Sequence, residues 1–434
     1  MPTISAPLPD GHLLLGWEEA PSPPAVGFAA ELTDPPPQLD QEAEPCFADP
    51  EGHLLTIGPT GSGKGRAALI PALLTYDGAA VVIDPKGEAY RTTARRRATL
   101  GPVVRLDPFG VVTDRPDALN PFDMVTRAGL SPTEAALVLA DLLAPKTFAK
   151  DPFWDNRARA LIAGLTAYVL ACRDPIEHHP ETLRAILMED DVAYAIAVLL
   201  DTAGKTMPRF AYQELAQFLQ LPERETRPSV LATATQHTTL LGDETVADAL
   251  RVTSFDLDAL RDGTPMTIYL ILPVERLGSH GLLLRLWVAT LLRILLTRTR
   301  QPATPTLFLL DEAAQLGTLP DLVTAVTLLR GYGVRVWSFW QDLAQVKTYY
   351  PKAWPTLLSN ARTLQLFEPH WLFRRELATL LHVLPDDLTL PPDQQLLVGP
   401  DGVPRRARKA DYLTDALFAG HFDVNPLAPP PRQR

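Results

Sequence analysis

A glycine-rich stretch that ends in lysine is the part of this chain with the clearest chemical use. Its residues are Gly58, Pro59, Thr60, Gly61, Ser62, Gly63, Lys64 and Gly65. Apolar residues precede the stretch at 54–57, and a helix-forming run follows it at 67–74. Glycines in such a loop let backbone N–H groups face a polyphosphate, the following helix adds positive dipole, and the lysine can reach the β- and γ-phosphates. The spacing therefore predicts a phosphate-binding loop, the alternative being an ordinary glycine-rich turn.

One position of this loop departs from the usual pattern. Gly65 follows Lys64, where the motif asks for Ser or Thr. The hydroxyl that usually binds Mg²⁺ is therefore missing from the loop.

An acid pair follows a second apolar run and can supply the other half of a nucleotide site. Asp311 and Glu312 come directly after residues 306–310. In a P-loop ATPase the first carboxylate holds Mg²⁺, often through water, and the second polarises the attacking water. We therefore expect Asp311 to be the metal ligand and Glu312 to act in catalysis. The alternative is a strand that ends in a solvated acid pair.

Two further side chains are candidates for the same chemistry. Arg330 precedes Gly331 and could reach the γ-phosphate of a neighbouring subunit as an arginine finger. Gln341 ends the run 334–340 and could sense the γ-phosphate or orient water. The structural alternatives are an arginine at a helix C-terminus and an amide at the end of a strand.

These side chains must be positioned by a sheet whose strands are buried on both faces. Short apolar runs with several Val, Ile and aromatic residues predict parallel strands at 54–57, 79–83, 103–106, 267–272, 306–310, 334–339 and 363–367. Helical patterns lie between many of them. The fold class is therefore α/β, with a mostly parallel sheet.

The stretch from 131 to 242 has a different pattern. Ser131 and Glu134 form a capping box before an apolar run, and helical periodicity continues through 241 with no strand signal. We therefore expect an all-α domain that interrupts the α/β domain. The predicted divisions are a Pro-rich extended N-terminal arm at 1–48, a nucleotide-binding domain in two parts at 49–130 and 243–425, the all-α insertion at 131–242, and a Pro-rich tail at 426–434.

Composition limits the classes of protein that this chain can belong to. The net charge of −11 disfavours a surface covered by nucleic-acid contacts, but leaves room for a local basic track inside a ring. Two cysteines cannot form a disulfide framework, so a reducing cytosol is the simpler interpretation. The most hydrophobic stretch, 281–296, contains two arginines and is short for a membrane span, so we expect a buried amphipathic helix.

Several short motifs in a fixed order give the chain a family resemblance. It resembles the VirD4/TraG group of type IV secretion coupling proteins, the hexameric RecA-like ATPases of conjugative DNA transfer. The motifs are GPTGSGKG at 58–65, DPKGE at 84–88, LDPF at 106–109, NPFD at 120–123, DPFWDNRAR at 151–159, LLDEAAQLG at 309–317, RGYG at 330–333, and SFWQDLAQVKTYY with LLSNA within 338–361.

The resemblance implies a RecA-like P-loop domain, an interrupting all-α domain, and a homohexameric ring that uses ATP and Mg²⁺. It also implies that the GKG form of the loop is accepted, with Asp311 and water holding the metal. Carried over by residue, the nucleotide-binding and trans-acting groups are Lys64, Asp311, Glu312, Arg330 and Gln341. The implied partners are DNA, in single-stranded form or bound to a relaxase, and the components of a type IV secretion channel.

One departure from that group leaves the biological setting open. Its members usually begin with transmembrane helices, whereas the first 45 residues here are polar and Pro-rich. We expect a cytoplasmic protein, either soluble or held at the inner membrane through a partner. The alternatives are a soluble HerA/FtsK-like DNA pump or helicase, and a recruitment adaptor that binds nucleotide without hydrolysing it.

Overall fold

The computed structural model describes residues 11–18, 44–144 and 152–426. Most of the predicted arm and all but the first residue of the predicted tail lie outside these ranges. Within them the strands are β1 Leu14–Glu18, β2 Pro45–Phe47, β3 His53–Ile57, β4 Ala80–Ile83, β5 Val103–Leu106, β6 Thr267–Leu270, β7 Thr306–Leu310, β8 Val334–Trp340, β9 Ala361–Leu366, β10 Gln394–Val398 and β11 Pro404–Lys409.

Helices fill most of the chain between these strands. They are α1 Ile70–Thr75, α2 Glu88–Ala98, α3 Met124–Arg127, α4 Pro132–Leu143, α5 Phe153–Cys172, α6 Pro180–Leu187, α7 Val192–Ala203, α8 Arg209–Gln220, α9 Thr226–His237, α10 Glu244–Arg251, α11 Leu257–Asp262, α12 Leu277–Leu295, α13 Pro320–Leu328, α14 Leu343–Tyr349, α15 Trp354–Asn360 and α16 Trp371–Leu381.

All the strands form one sheet in the order β2-β1-β11-β10-β9-β3-β8-β7-β4-β6-β5. The five strands from β9 to β4 in this order pair in parallel. Strands β3, β4, β7 and β8 are buried along their whole length, as expected for parallel strands covered on both faces. The predicted fold class is confirmed, and each of the seven predicted strands is present.

Four strands at one end of the sheet were not predicted. β2, β1, β11 and β10 pair antiparallel with one another, and β10 pairs antiparallel with β9. β1 and β2 lie within the stretch that the sequence assigned to an extended arm. The sequence pattern indicates these strands only weakly, because β2 has only three residues and β11 reads Pro-Arg-Arg-Ala-Arg-Lys, which lacks an apolar run.

A chain of buried hydrogen bonds crosses this sheet. Trp337 Nε1 donates to Thr56 Oγ1 at 2.7 Å, and Thr56 Oγ1 donates to Gln365 Oε1 at 2.6 Å. Gln365 Nε2 donates to Gln395 Oε1 at 2.6 Å, and Gln395 Nε2 donates to Leu15 O at 2.7 Å. Because these buried polar atoms find partners, the network ties the parallel strands to the antiparallel ones without leaving them unsatisfied.

The chain divides into two compact units by its internal contacts. One contains the residues up to Val103, Gly263–Tyr269 and the residues from Arg300 onward; the other contains Val104–Asp262 and Leu270–Thr299. In the second unit, the described residues after Leu106 contain no strand apart from Leu270, the last residue of β6. The helical unit thus begins earlier than residue 131 and also includes α12.

The predicted capping box opens α4. Glu134 N donates to Ser131 Oγ at 3.2 Å, and Ser131 N donates to Glu134 Oε2 at 2.9 Å. The reciprocal pair satisfies two N–H groups that the first turn leaves without a partner in the helix.

Helix α12 contains most of the hydrophobic stretch that the sequence assigned to a buried helix. Together with the turn before it, Val274–Leu295 is long and apolar enough to cross a membrane by length and composition alone. Of its most apolar window, 61% is buried inside the structure. A core helix passes the same length and composition test.

Helix α2 contains the basic run Arg95, Arg96 and Arg97, a candidate for the local basic track that the net charge leaves room for. Arg97 is buried and donates to Gly78 O at 2.6 Å and to Thr267 Oγ1 at 2.6 Å. Arg95 Nε donates to Asp423 Oδ1 at 2.8 Å. Arg97 therefore has a structural role, since a buried guanidinium bonded to protein oxygens is not open to DNA phosphates.

Lowering the pH should destabilise the fold through His53. Burial lowers the pKa of this imidazole to about 4, and Arg335 and Arg330 act in the same direction. Its Nδ1 accepts a 3.0 Å hydrogen bond from Val336 N, so it must be neutral in the folded state. The contribution to stability is complete above the ordinary pKa of about 6.5 and is lost as the pH falls to 4, at a cost of about 3 kcal/mol.

Chemical denaturation at pH 7, 5.5 and 4 measures this loss. His53→Asn keeps an acceptor near Val336 but does not titrate, so its free energy of unfolding should fall less with pH than that of the wild type. His421→Asn, which removes an exposed histidine, should follow the wild type. Parallel pH profiles for wild type and H53N would contradict the assignment.

Candidate nucleotide site

The glycine-rich stretch forms a loop between β3 and a helix. Gly61 and Gly63 have φ values of 82° and 88°, which L side chains rarely adopt. A Cβ atom at either position would have no heavy atom within 4 Å, so the space above the loop is open. A π-helical turn, Gly65–Leu69, continues into α1. The loop thus has the geometry that the sequence predicts, with backbone free to approach a ligand.

Lys64 is buried beneath this loop. Its Nζ donates to Gly58 O at 2.6 Å and to Pro59 O at 3.2 Å. Burial lowers the pKa of Lys64, while the charges of Glu312 and Asp311 act in the opposite direction. The lysine and the acid pair are therefore close enough to interact electrostatically.

Asp311 follows β7 and is half-buried. Burial raises its pKa to about 6, the neighbouring Glu312 raises it further, and Lys64 opposes the shift. A cation beside Asp311 would offset the cost of ionising this carboxyl group away from water. Asp311 therefore has the electrostatic environment of a metal ligand.

Glu312 has a strained backbone. Its φ and ψ are both 49°, the left-handed region that is uncommon for a non-glycine residue. Its N–H donates to Asp311 Oδ1 at 3.0 Å, and its Oε2 accepts from Gln341 Nε2 at 3.0 Å. Strain of this kind persists only where the surroundings hold it, and it concentrates at functional sites.

Gln341 reaches Glu312 because β8 lies between β3 and β7 in the sheet. Ile57 pairs with Trp340, and Leu310 pairs with Ser338. The loop, the acid pair and the glutamine consequently leave the sheet at the same edge.

A third carboxylate at this edge was overlooked. Asp84 follows β4, whose last residue pairs with Leu310 of β7, and its Oδ2 accepts from Tyr90 N at 2.8 Å. Burial raises its pKa to about 7, and the charges of Asp311 and Glu88 raise it too. The sequence marks Asp84 only as the first residue of the DPKGE motif, although its position directly after a predicted strand is a signal for this edge.

Arg330 does not join these residues within one chain. It lies in the turn Leu329–Tyr332, before the first residue of β8, and donates to Glu51 Oε2 at 2.8 Å. Gln341 follows the last residue of the same seven-residue strand. At the rise of a strand these two positions are on the order of 20 Å apart.

The site can be tested for its fit to a nucleotide and a metal. Ser62 Oγ is buried with no hydrogen-bond partner among the described residues, and it packs against the position of Gly58. No cluster of three or more metal-ligating side chains occurs in the described part of the chain. Mg²⁺ in phosphate sites needs only one or two carboxylates, together with phosphate and water. The residues therefore fit a polyphosphate with Mg²⁺, with Asp311 as the candidate ligand from the protein.

Packing does not require a glycine at position 65. A Cβ atom at this position would meet no heavy atom within 4 Å. A serine would fit there, so the missing hydroxyl is a property of the sequence rather than of the packing.

Comparison with curated proteins finds relatives in conjugation. The chain is 29% identical over 319 residues to the conjugal transfer protein TraG of Agrobacterium fabrum, covering 70% of this chain and 47% of that one. It is 25% identical over 313 residues to the type IV secretion system-coupling protein VirD4 of Bartonella quintana, covering 69% and 48%. The chain spans about half the length of the curated relatives it matches.

Solved structures share the fold. The conjugative coupling protein TrwB, in a form complexed with sulphate, has a TM-score of 0.66 at 18% identity over 82% of this chain and 85% of that one. TrwB has also been solved in complex with ADP and Mg²⁺, and that structure has a TM-score of 0.65 at 18% identity, covering 83% and 85%. VirB4 of Thermoanaerobacter pseudethanolicus has a TM-score of 0.54 at 13% identity, covering 93% and 98%.

A protein-family model also matches most of the chain. The family model for type IV secretory system conjugative DNA transfer matches residues 38–370. That range contains the phosphate-binding loop, the acid pair, Arg330 and Gln341. This chain belongs to the family of type IV secretory system conjugative DNA transfer proteins.

Proposed function

We propose that this protein is an ATP-driven DNA translocase that acts as the coupling protein of a type IV secretion or conjugation system. The observation that carries the proposal is that the loop lysine and the groups after β7 and β8 meet at one edge of the sheet. Lys64 is bonded to the loop and lies within the electrostatic reach of Asp311 and Glu312, and Gln341 donates to Glu312 at 3.0 Å. Family membership and relatives named for conjugal transfer support the substrate class.

Each residue has a defined task in hydrolysis. The backbone of Gly58–Gly65 cradles the phosphates, and Lys64 leaves its carbonyl partners to offset phosphate charge. Glu312 accepts a proton from the attacking water, and the bond from Gln341 holds its carboxylate in place.

Asp311 would hold Mg²⁺, which would supply positive charge that offsets the charge of the phosphates. Because Gly65 has no hydroxyl, Asp311 and water molecules would take the place of the usual Ser or Thr ligand of Mg²⁺. Crystals of TrwB with ADP and Mg²⁺ support this pairing of nucleotide and metal.

A homohexameric ring places Arg330 at a neighbour's site. Within its own chain this arginine is half-exposed, and its partner Glu51 is exposed as well. An exposed ion pair is weak, so a subunit interface can exchange Glu51 for a phosphate at little cost.

Hydrolysis in this ring moves single-stranded DNA, or a relaxase–DNA complex, toward the channel. We place the protein in the cytoplasm, where ATP is available, with any attachment to the inner membrane made through a partner. Subcellular fractionation with and without the secretion system tests that location.

Turnover should depend on Glu312 and binding on Lys64. Glu312→Gln removes the base and should lower the ATPase rate roughly 100-fold while nucleotide still binds. Lys64→Ala should abolish measurable binding, and Glu223→Gln, which changes an exposed acid in the helical unit, should leave both unchanged. Steady-state ATPase assays and nucleotide titration measure these effects. Full turnover by E312Q would remove Glu312 as the base, and a wild type that binds nucleotide without turnover would favour the adaptor.

Mixing two inactive variants should restore activity if Arg330 acts in trans. Arg330→Ala and Lys64→Ala should each be inactive alone. In a mixed ring, an intact Lys64 on one subunit meets an intact Arg330 on its neighbour, so ATPase activity should return. No recovery in rings shown to be mixed would place Arg330 outside catalysis.

DNA should accelerate hydrolysis. ATPase rate measured against added single- and double-stranded DNA of equal length should rise most with single strands, and K64A should respond to neither. Stimulation by duplex alone would favour a HerA/FtsK-like pump. A wild-type rate that neither DNA changes would remove the translocase proposal.

A further inference from the structure

Lys409, the last residue of β11, is a buried lysine that reaches the phosphate-binding loop. Its Nζ donates to Ser62 O at 3.1 Å and to Pro392 O at 2.9 Å, and lies 4.3 Å from the centre of the Phe367 ring. One ammonium group thus joins the loop to the end of β9 and to the residues before β10. No sequence motif indicated this contact, because Lys409 belongs to a basic cluster that resembles a solvated face.

The donors of this ammonium group are fully engaged. An ammonium has three N–H groups; two go to carbonyl oxygens, and the aromatic face takes the remaining charge. Burial lowers the pKa of Lys409 to about 8, with Glu368 and Asp393 opposing the shift. A lysine satisfied in this way is suited to hold a neighbouring group rather than to bind a ligand.

The Ser62 carbonyl that Lys409 holds determines the direction of the Gly63 N–H. The carbonyl of Ser62 and the N–H of Gly63 share one planar trans peptide and point in opposite directions. Fixing Ser62 O toward Lys409 therefore turns the Gly63 N–H to the opposite side. Gly63 can rotate freely because it lacks a Cβ atom, so an external contact is needed to fix this peptide.

A second contact from the same segment holds the helix that follows the loop. Arg66 Nε and Nη2 donate to the two carboxylate oxygens of Asp411 at 2.6 and 2.5 Å. Asp411 N donates to Asp415 Oδ2 at 2.8 Å, and Trp17 Nε1 donates to the same oxygen at 2.8 Å. The segment 409–415 is thus anchored to β1 as well as to the helix.

We propose that Lys409 is a positioning residue for the phosphate-binding loop, holding the Ser62–Gly63 peptide so that its N–H faces the phosphates. This role rests on the proposed nucleotide function, because it acts on the same loop. It adds a residue from the antiparallel end of the sheet to a site otherwise made by the parallel strands.

The test compares Lys409→Met, which keeps the length but loses the donors, with Lys409→Arg, which keeps donors. Lys347→Met is the matched control: Lys347 lies 4.5 Å from the Trp354 ring and pairs with Glu376, with no contact to the loop. K409M should raise the Kd and KM for ATP roughly tenfold with kcat within about twofold at saturation, since a hydrogen bond from a charged donor is lost. K409R should recover part of the affinity, and K347M should leave it unchanged.

Hydrogen exchange of the nucleotide-free protein separates this role from the proposed function. Exchange of the amides at 60–65 should be faster in K409M than in wild type or K347M, whether or not ATP is hydrolysed. If K409M does not fold, Lys409→Gln, which keeps an amide donor, takes its place in both measurements. A folded variant with wild-type exchange at 60–65 and wild-type Kd would overturn the positioning role, even if K64A and E312Q behave as expected.

Discussion

The parallel alignment of five neighbouring strands is the constraint on which the site depends. Because β3, β8, β7 and β4 run in the same direction, the residues that follow them emerge at one edge of the sheet. The loop after β3, Gln341 after β8, the acid pair after β7 and Asp84 after β4 are therefore neighbours, although they are far apart in the chain. The same geometry separates Arg330 from them, since it precedes β8 rather than following it.

Two buried lysines hold the same loop from different parts of the chain. Lys64 bonds the carbonyls of Gly58 and Pro59, and Lys409 bonds the carbonyl of Ser62. A carbonyl oxygen that accepts from an ammonium group is not free to repel an anion, which needs donors instead. Lys64 can leave its partners for a phosphate, whereas Lys409 is fixed by three elements. The first is thus suited to binding and the second to preorganisation.

Acidic side chains lie together at the edge of the sheet where the parallel strands β4 and β7 end. Asp84 is buried and Asp311 is half-buried at adjacent strand ends, and removal from water raises the pKa of each. A cation at this edge would stabilise the ionised form of both carboxyl groups, which agrees with the Mg²⁺ that the family resemblance implies. The strained backbone of Glu312 belongs to the same edge, and the bond from Gln341 holds its side chain.

The sequence by itself determined the local features of this protein. Strand positions, the glycine-rich loop, the acid pair and the capping box at Ser131 could be predicted, because each depends on residues close together in the chain. The antiparallel strands, the partners of Arg97 and the contact of Lys409 with Ser62 could not. β11 contains mostly basic residues, and it belongs to the sheet only because β10 and β1 supply its hydrogen bonds. Only the tertiary structure decided which basic residues are buried, since a buried charge is stable only where distant segments bring oxygen atoms to it.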